Sequence, residues 1–417
     1  MYRILLANTR HFYGGGDSTY TFNLANLLQT KGHEVCFFAM SDERNIPDPN
    51  CDLFVSNIDF KRLDNSKSLR NGLRVLNRAI YSSESRKKFR ILLNRFKPDI
   101  LHLQNIHAHL TPSIIMEANG WDLPVIWTVH DYKLVCPNSH MLIDSTKEIC
   151  EACVGGDFYH AFLKRCKKGS HLASGMATIE AYAHRSLRIK QRVQRFIAPS
   201  TFLRGKFIDA GFGPEKVRHV PYCLPDQLFD SKLNDEGYIL FMGRLESIKG
   251  IYQVLEACKR VADVRLVLAG RASEPILSQL PALLPSNAVY VGMKHGEELR
   301  NLLLNCRAVI VPSLWYENQP FSIIEAFAAG KPVIASDLGG MTELVGHQQR
   351  GLLAPPGDVD ALSRCMRVLT ECPQKARRMG KAARQYAAEH HSSEKHYYKL
   401  LEIYTQVTER RSGFNLD

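Results

Sequence analysis

The stretch Tyr2–Ala7 (YRILLA) is an apolar run of strand length, and the glycine turn Gly14–Gly16 follows it. Leucines then recur at helical spacing between residues 24 and 28, and a second apolar run follows at Glu34–Phe38 (EVCFF). Strand, glycine turn, helix and strand in this order are typical of a βαβ unit, whose strands are parallel. The stretch therefore predicts an α/β fold built on a parallel sheet.

Further strand patterns follow in two series, separated by the proline-bounded stretch Pro221–Pro225. The first series continues with Asp99–Leu103, Val125–Val129 and Phe196–Ala198. The second series comprises Tyr238–Met242, Arg265–Ala269, Ala288–Val291, Ala308–Val311 and Pro332–Ala335. Helical patterns lie between the strands of each series, so the chain predicts two successive α/β domains. A charged helical pattern from Pro373 to Glu409 ends the chain.

The composition is that of a folded globular protein. Of the 417 residues, 45% are hydrophobic and 23% are charged, which excludes disordered, collagen-like and low-complexity classes. The longest apolar runs are far shorter than the ~20 residues that span a bilayer, and no secretory signal pattern is present. Most of the 11 cysteines stand singly in apolar surroundings, as reduced thiols do. We therefore expect a cytoplasmic protein.

Positive charge is the strongest compositional signal. The formal net charge is +12, and residues 61–97 hold 12 Lys or Arg against two acids, while residues 158–195 hold nine against Glu180 alone. In the first tract Leu69, Leu73, Leu76 and Ile80 recur at helical spacing. This pattern predicts either an amphipathic helix on a membrane surface or a helix that faces the protein core. The charge itself favours a phosphate-bearing or anionic membrane partner.

The segment Glu317–Glu325 (ENQPFSIIE) carries two carboxylates eight residues apart. Pro320 can open a helix and Gly330 can close it, so Glu317 is predicted in the preceding loop and Glu325 in the second turn. The free amides and the dipole at the start of a helix attract anions. The segment therefore predicts a diphosphate site at which both carboxylates accept hydrogen bonds from nearby hydroxyl groups.

A second segment, Phe241–Gly250 (FMGRLESIKG), supplies cations to such a site. Gly243 stands at a predicted strand end, where it lets the backbone approach a ligand, and Arg244 and Lys249 follow it. A close backbone and two cations are what a diphosphate leaving group requires.

The segment Asp358-Val359-Asp360 matches the D-x-D pattern of metal-dependent transferases. It directly precedes a helical run, however, and an aspartate in that position is typical of a helix N-cap. We therefore expect Asp358 to be a cap and no catalytic metal to bind there.

Together these motifs resemble those of the family 4 glycosyltransferases. The resemblance runs from Gly14–Gly16 and His130-Asp131 through Gly243–Gly250 and Glu317–Glu325 to Gly339-Gly340, which is nearly the whole chain. It implies the GT-B fold, an α/β fold in which two Rossmann-like domains face a cleft. It also implies retaining transfer of a sugar from a nucleotide sugar, with no metal in the cleft.

The resemblance also implies roles for individual residues. Arg244 and Lys249 would bind the donor diphosphate, and Glu325 would bind the ribose hydroxyls. Glu317 would hold the donor sugar and act in catalysis with His130, which would hydrogen-bond the transferred sugar. The remaining donor-binding residues would be Gly15, Gly16, Gly243, Gln319, Pro320, Phe321 and Ser322.

On the same basis we expect an acceptor-side domain at 1–220 with a cysteine-containing insertion at 136–170. A nucleotide-sugar-binding domain would follow at 221–385, and a C-terminal helix at 386–417 would pack back on the first domain. The enzyme would use a UDP or GDP sugar and a lipid-linked saccharide or polysaccharide acceptor in cell-surface polysaccharide synthesis. It would not bind nucleic acid, and its basic tracts suggest work at the inner face of the plasma membrane.

Two other function classes account for parts of the sequence. A nucleotide-sugar epimerase or hydrolase on the same fold would also use a carboxylate and diphosphate cations, but it would release the nucleotide without an acceptor. A zinc-bearing nucleic-acid binder would account for the net charge and the cysteines, although the chain carries no recognisable nucleic-acid module.

Four cysteines follow His130-Asp131 in a group. Cys136, Cys150, Cys153 and Cys166 are spaced C-x13-C-x2-C-x12-C, and the central pair has the spacing of zinc knuckles. In a cytoplasmic protein a disulfide is a poorer explanation for such a group than a metal. The spacing predicts one structural zinc ion, and the alternative of four ordinary cysteines in a long insertion stays open.

Overall fold

The computed structural model describes residues 1–57, 80–229 and 234–412, and it contains two parallel six-stranded β-sheets. The chain divides into two compact units. The first comprises Met1–Pro199, Leu203–Val220 and the C-terminal residues from His396, and the second comprises Ser200–Phe202 and Pro221–Lys395. The prediction of an α/β fold with parallel sheets is confirmed. The predicted leucine stripe at residues 69, 73 and 76 lies outside the described residues.

The first sheet has the strand order β2-β1-β3-β4-β5-β6. Its strands are β1 (Arg3–Ala7), β2 (Glu34–Phe38), β3 (Ile100–Leu103), β4 (Val125–Thr128), β5 (Arg195–Ala198) and β6 (Val217–His219). Strand β1 lies between β2 and β3 and places Ile4 opposite both Val35 of β2 and Ile100 of β3. Strands β3, β4 and β5 are buried along their whole length, as expected of a parallel sheet covered on both faces.

Seven helices lie in the described residues between 1 and 220. They are α1 (Gly16–Thr30), α2 (Ser83–Phe96), α3 (Ser113–Asn119), α4 (Tyr159–Leu163), α5 (His171–Ser186), α6 (Ile189–Arg192) and α7 (Thr201–Asp209). The α4–α5 pair belongs to the cysteine-containing region, and the two helices pack against each other.

The second sheet has the order β12-β11-β10-β7-β8-β9. Its strands are β7 (Tyr238–Met242), β8 (Arg265–Ala269), β9 (Ala288–Tyr290), β10 (Ala308–Val311), β11 (Val333–Ser336) and β12 (Gly351–Ala354). Its helices are α8 (Ile251–Lys259), α9 (Glu274–Leu283), α10 (Gly296–Asn305), α11 (Phe321–Ala328), α12 (Gly340–Val345), α13 (Val359–Glu371) and α14 (Pro373–His390). The core beneath this sheet is a single large apolar cluster of strand and helix side chains.

The C-terminal helical pattern forms two helices rather than one. Helix α14 ends at His390, and α15 (Ser393–Ser412) begins after a short break. Within the first unit Leu400 and Tyr404 of α15 are fully buried, and the Tyr404 hydroxyl lies 2.8 Å from His102 Nδ1. None of the helices in the described ranges combines the length and the apolar character needed to cross a membrane.

Candidate active site

Glu317 lies in the loop between β10 and α11, as its sequence motif predicts, and only 8% of it is exposed. Its Oε1 accepts hydrogen bonds from Ser313 Oγ (2.8 Å) and from Trp315 Nε1 (2.9 Å). The same oxygen forms an ion pair with Lys249 Nζ. The ammonium also lies 5.2 Å from the centre of the Trp315 ring, so the ion pair and the indole form one connected group.

Glu317 is ionised at neutral pH because of these contacts. Burial acts to raise the pKa of Glu317, but Lys249 and the hydrogen bonds from Ser313 and Trp315 outweigh it, so the pKa lies below its usual range. A carboxylate that already accepts three hydrogen bonds is a poor proton acceptor. The Glu317 carboxylate therefore acts as a fixed negative charge that orients the Lys249 ammonium.

Helix α11 begins at Phe321, with Pro320 as the N-cap residue. The amides of Ile323 and Ile324 donate to Pro320 O at 3.1 and 3.4 Å. The amides of Phe321 and Ser322 precede the first residue that can bond within the helix, so they are open to an external acceptor. The start of α11 therefore offers two amide donors to an anion beside the Lys249–Glu317 pair, and the diphosphate site there stays a prediction.

A glycine turn holds this loop in place. The Gly340 amide donates to Glu317 O at 2.9 Å. A Cβ atom added at Gly340 would lie 1.8 Å from Asn318 O, so only glycine permits this approach.

Glu325 is one turn inside α11 and has a different environment from Glu317. It is partly buried, and burial alone raises its pKa to about 7. Within the part of the chain that the structure describes, its carboxyl has no hydrogen-bond or ion-pair partner. An acid held without partners beside an anion site is suited to accept hydrogen bonds from a ligand diol.

Arg244 is exposed, and its Nη1 donates to Glu246 Oε1 at 2.8 Å. It follows Gly243 at the end of β7, where the Gly243 amide bonds to Ala269 O (3.0 Å). A Cβ at the neighbouring Gly270 would lie 1.7 Å from Gly243 O, so the ends of β7 and β8 approach closely. Like Lys249, Arg244 is paired with a carboxylate in this structure.

The side chains of Asn318 and Gln319 form hydrogen bonds that fix the loop between β10 and α11. Gln319 Oε1 accepts the Tyr222 amide at 2.6 Å, and Asn318 Oδ1 accepts from Ser200 Oγ at 2.7 Å. The side-chain oxygen of Gln319 is therefore already engaged, and the role of this residue in donor binding stays a prediction.

His130 follows β4 in the first unit. Its Nε2 lies 2.8 Å from Gln104 Oε1, and its ring meets the edge of the Tyr20 ring at 5.5 Å. Burial lowers the pKa of His130 to about 4, although Asp17 and Asp131 act in the opposite direction. The imidazole is thus neutral at pH 7 and suited to hydrogen bonding rather than to ion pairing.

The glycine turn of the first unit opens α1. Gly15 is the N-cap residue, and its carbonyl accepts from the Thr19 amide and from Ser18 Oγ, each at 3.0 Å. The Gly14 amide in turn donates to Ser18 Oγ at 3.0 Å. Gly15 and Gly16 thus place exposed backbone at a helix start, as a ligand-facing turn requires.

The four grouped cysteines are neighbours in the structure. Cys153 and Cys166 share one apolar cluster, and Cys150 packs against it. Burial raises the pKa of the Cys136, Cys153 and Cys166 thiols, and the neighbouring thiols of the group raise it further. All four are free thiols.

The thiols do not form a ready coordination shell. Across residues 1–57, 80–229 and 234–412, no three side chains of His, Cys, Asp or Glu are arranged to hold a metal ion. The residue types suit zinc, but the arrangement does not yet provide its ligand geometry.

The aspartates of the D-x-D pattern have structural partners. Asp358 is the N-cap of α13, and its side chain accepts the Ala361 amide at 2.8 Å. Asp360 forms an ion pair with Arg260. The prediction that Asp358 caps the helix is confirmed.

Sequence reasoning missed four residues around the site. Ser313 and Trp315 bond Glu317, Glu246 bonds Arg244, and Glu343 accepts the amides of Thr201 (2.9 Å) and Phe202 (3.1 Å). Ser313 and Trp315 stand four and two residues before Glu317, directly after β10, and this position at a strand end was the available signal.

Comparison with known proteins agrees with this geometry. The family described as Glycosyltransferase Family 4 matches residues 14–225, and the family described as Glycosyl transferases group 1 matches residues 226–386. Anabaena HepE in complex with UDP and glucose has a TM-score of 0.67 at 16% identity, covering 97% of this chain and 100% of HepE. Sucrose-phosphate synthase from Thermosynechococcus elongatus has a TM-score of 0.71 at 18% identity, covering 98% and 100%.

The sequence relatives show either low identity over most of the chain or higher identity over a shorter part of it. An uncharacterised 42.6 kDa protein of the Klebsiella pneumoniae cps region is 23% identical over 82% of this chain and 87% of its own length. The D-rhamnosyltransferase WbpZ of Pseudomonas aeruginosa is 33% identical, over 35% of this chain and 39% of its own. A match to an uncharacterised glycosyltransferase of Methanocaldococcus jannaschii spans 35% of that protein. With both family models matched along the chain and both sheets arranged as in the GT-B structures, the chain belongs to the family 4 glycosyltransferases.

Proposed function

We propose that this glycosyltransferase moves a sugar, with retention of configuration, from a UDP or GDP sugar to a lipid-linked saccharide or polysaccharide. The observation that carries the proposal is the grouping of Lys249, Glu317 and Glu325 around the start of α11. It offers a cation and open amides for a diphosphate, and a carboxyl without partners for a diol. These are the groups that a nucleotide-sugar donor presents.

The chemistry follows from charge. Cleavage of the bond between sugar and phosphate leaves a cationic sugar and a diphosphate that gains negative charge. Lys249, Arg244 and the first amides of α11 stabilise that charge where it develops, which lowers the barrier. Arg244 is exposed and its ion pair with Glu246 lies at the surface, so its side chain can turn to an incoming phosphate.

Retention of configuration is supported by the state of Glu317. Its carboxylate is committed to Lys249, Ser313 and Trp315, so it does not serve as a free base. In a retaining transfer of this kind the departing phosphate takes the proton of the acceptor hydroxyl on the same face of the sugar. His130, held neutral by burial, would hydrogen-bond the transferred sugar.

The acceptor class is supported by the relatives. One lies in a Klebsiella cps region, one is a D-rhamnosyltransferase, and one is an amylovoran biosynthesis glycosyltransferase of Erwinia amylovora. On this support we propose that the enzyme acts in cell-surface polysaccharide synthesis, at the inner face of the plasma membrane, where lipid-linked acceptors are available.

The test is an acceptor-dependent assay. Nucleotide release from UDP, GDP and ADP sugars is measured with and without a lipid extract, for the wild type and Glu317→Gln. We expect release with one donor only, dependence on the extract, labelled sugar in the lipid fraction, and a loss in kcat of about 100-fold in the variant. Glu298→Gln on α10 is the matched control and should be unaffected. Equal release without an acceptor would instead identify a hydrolase.

We also propose that Cys136, Cys150, Cys153 and Cys166 bind one structural zinc ion. The shared location of Cys150, Cys153 and Cys166 and the zinc-knuckle spacing of the central pair support it. The thiols would reorient when the ion binds. The zinc would hold the insertion together and would take no part in sugar transfer.

A further inference from the structure

The helical pair α4–α5 exposes an unusual number of large apolar side chains. Leu163 is 62% exposed and Leu172 is 69% exposed. The other members of this group are Tyr159, Phe162 and Ile179. Isolated exposed leucines are common, but five large apolar residues within 21 positions form a patch of the kind that marks an interaction surface. We call residues 159–186 the exposed hairpin.

The apolar residues of the exposed hairpin are held on one ridge. Leu172 and Ile179 stand seven residues apart on α5, which places them two turns apart on the same face. The Phe162 ring of α4 lies 5.1 Å from the His171 ring and packs beside Gly175, whose absent Cβ would be 3.3 Å away. The two helices thus present their apolar residues side by side.

Positive charge predominates within residues 158–195. Glu180 is the only acid between residues 158 and 195, and it is buried and paired with Lys133 at 2.8 Å. Exposed basic residues flank the apolar ones, among them Arg165, Lys168 and Arg185. The exposed hairpin therefore combines apolar side chains with positive charge, and its one carboxylate, Glu180, is buried.

We propose that the exposed hairpin docks the protein on an anionic lipid surface. Apolar side chains can enter the boundary between headgroups and acyl chains while the basic side chains bind lipid phosphates. A nucleic-acid backbone would use the basic residues but not Leu163 or Leu172. A symmetric dimer through this face would bring like charges together, which disfavours a second copy as the occupant.

This inference rests on the proposed function, because docking there would keep the enzyme beside a lipid-linked acceptor. It assigns the contact to residues 159–186 rather than to the basic tract at 61–97. It concerns binding to the bilayer and is independent of which sugar is transferred.

Sedimentation of the full chain with vesicles tests the inference. Vesicles of phosphatidylcholine are compared with vesicles that also contain phosphatidylglycerol, at low and high salt. We expect binding to the anionic vesicles only, weakened by salt, and reduced about tenfold by Leu163→Ser with Leu172→Ser or by Arg165→Gln with Lys168→Gln. Leu277→Ser, at an exposed leucine of α9, is the matched control and should bind like the wild type.

Two results would overturn the inference: unchanged vesicle binding in both double variants, or equal binding to neutral and anionic vesicles. Circular dichroism and thermal unfolding confirm that the variants fold. Sugar transfer to acceptor in detergent micelles is measured in parallel. If the wild type binds anionic vesicles but transfers no sugar in micelles, the result counts against the proposed function alone. If the wild type transfers sugar in micelles and the variants bind vesicles as well as the wild type does, the result counts against the docking role of the exposed hairpin alone.

Discussion

At the scale of single residues, the two glutamates of one motif have opposite electrostatic environments. Glu317 accepts hydrogen bonds from donors that hold its pKa low. Glu325 has no hydrogen-bond donor among the described residues, and burial raises its pKa to about 7. Eight residues of sequence separate them, so their different chemistry comes from the loop and helix around them. The pairing of Glu317 with Lys249 joins two motifs that lie 68 residues apart in the chain.

Glu325 gives a prediction about pH. Its pKa in the folded chain is about 7 against an ordinary value of 4.5, so the folded state holds a proton that the unfolded state releases. The free energy of unfolding of the wild type, relative to Glu325→Gln, should therefore fall as pH rises from about 4.5 to about 7. The total fall is at most about 3 kcal/mol. Urea unfolding of both proteins across this pH range measures the difference, and a constant difference would contradict the assignment.

At the scale of elements, the site depends on a helix start and on the glycine turn that supports it. In Gly340→Ala the new Cβ would meet Asn318 O at 1.8 Å, so the Glu317 loop must shift. We expect a loss of about 2 kcal/mol or more in stability and weaker nucleotide binding, because the amides of α11 move with the loop. Gly205→Ala on α7 is the control, since nothing lies within 4 Å of the position that its new Cβ atom would take. Calorimetry of both variants with nucleotide checks this, and wild-type binding in Gly340→Ala would refute it.

The cysteine insertion gives a second prediction at this scale. Freshly purified protein should contain one zinc ion per chain, and Cys150→Ser with Cys153→Ser should lose it together with a few kcal/mol of stability. Elemental analysis measures the metal, and Cys51→Ser, at an exposed thiol outside the group, is the control. Metal content that stays the same in the double variant would refute the zinc site.

The sequence predicted the elements better than the contacts between them. Strands β2, β7, β8 and β10 have the predicted bounds. For β7 and β8 the signal was an apolar run that a glycine ends, Gly243 and Gly270 respectively. Strand β6 was missed because two of its three residues, Arg218 and His219, are polar. Strand β12 was missed because it has only four residues and begins with a glycine, Gly351, which is uncommon in strands.

The candidate site shows the same division. The helix start at Pro320 could be predicted from local chemistry, and so could the positions of Glu317 and Glu325. The hydrogen bonds from Ser313 and Trp315, and the pairing of Arg244 with Glu246, depend on side-chain directions that no sequence spacing fixes.

At the scale of the whole molecule, each of the two units carries its own part of the chemistry. The first contains His130, the opening glycine turn and the exposed hairpin, and the second contains the cations and carboxylates of the proposed diphosphate site. The net charge of +12 is concentrated in the first unit, while the anion site of the second is local and formed by few groups. The basic residues proposed to bind a membrane surface and the cations proposed to bind the donor therefore lie in different units of the chain.

The central claim is that a nucleotide-sugar donor binds at the start of α11 beside Lys249. Isothermal titration calorimetry of the full chain with UDP, GDP and ADP tests it most directly, with Lys249→Gln and Arg244→Gln combined in a double variant and Lys294→Gln as the control. We expect one nucleoside diphosphate to bind the wild type and the control equally, and to bind the double variant at least about 100-fold more weakly. Equal affinity in the wild type and in the double variant, or no binding of any of the three, would contradict the account.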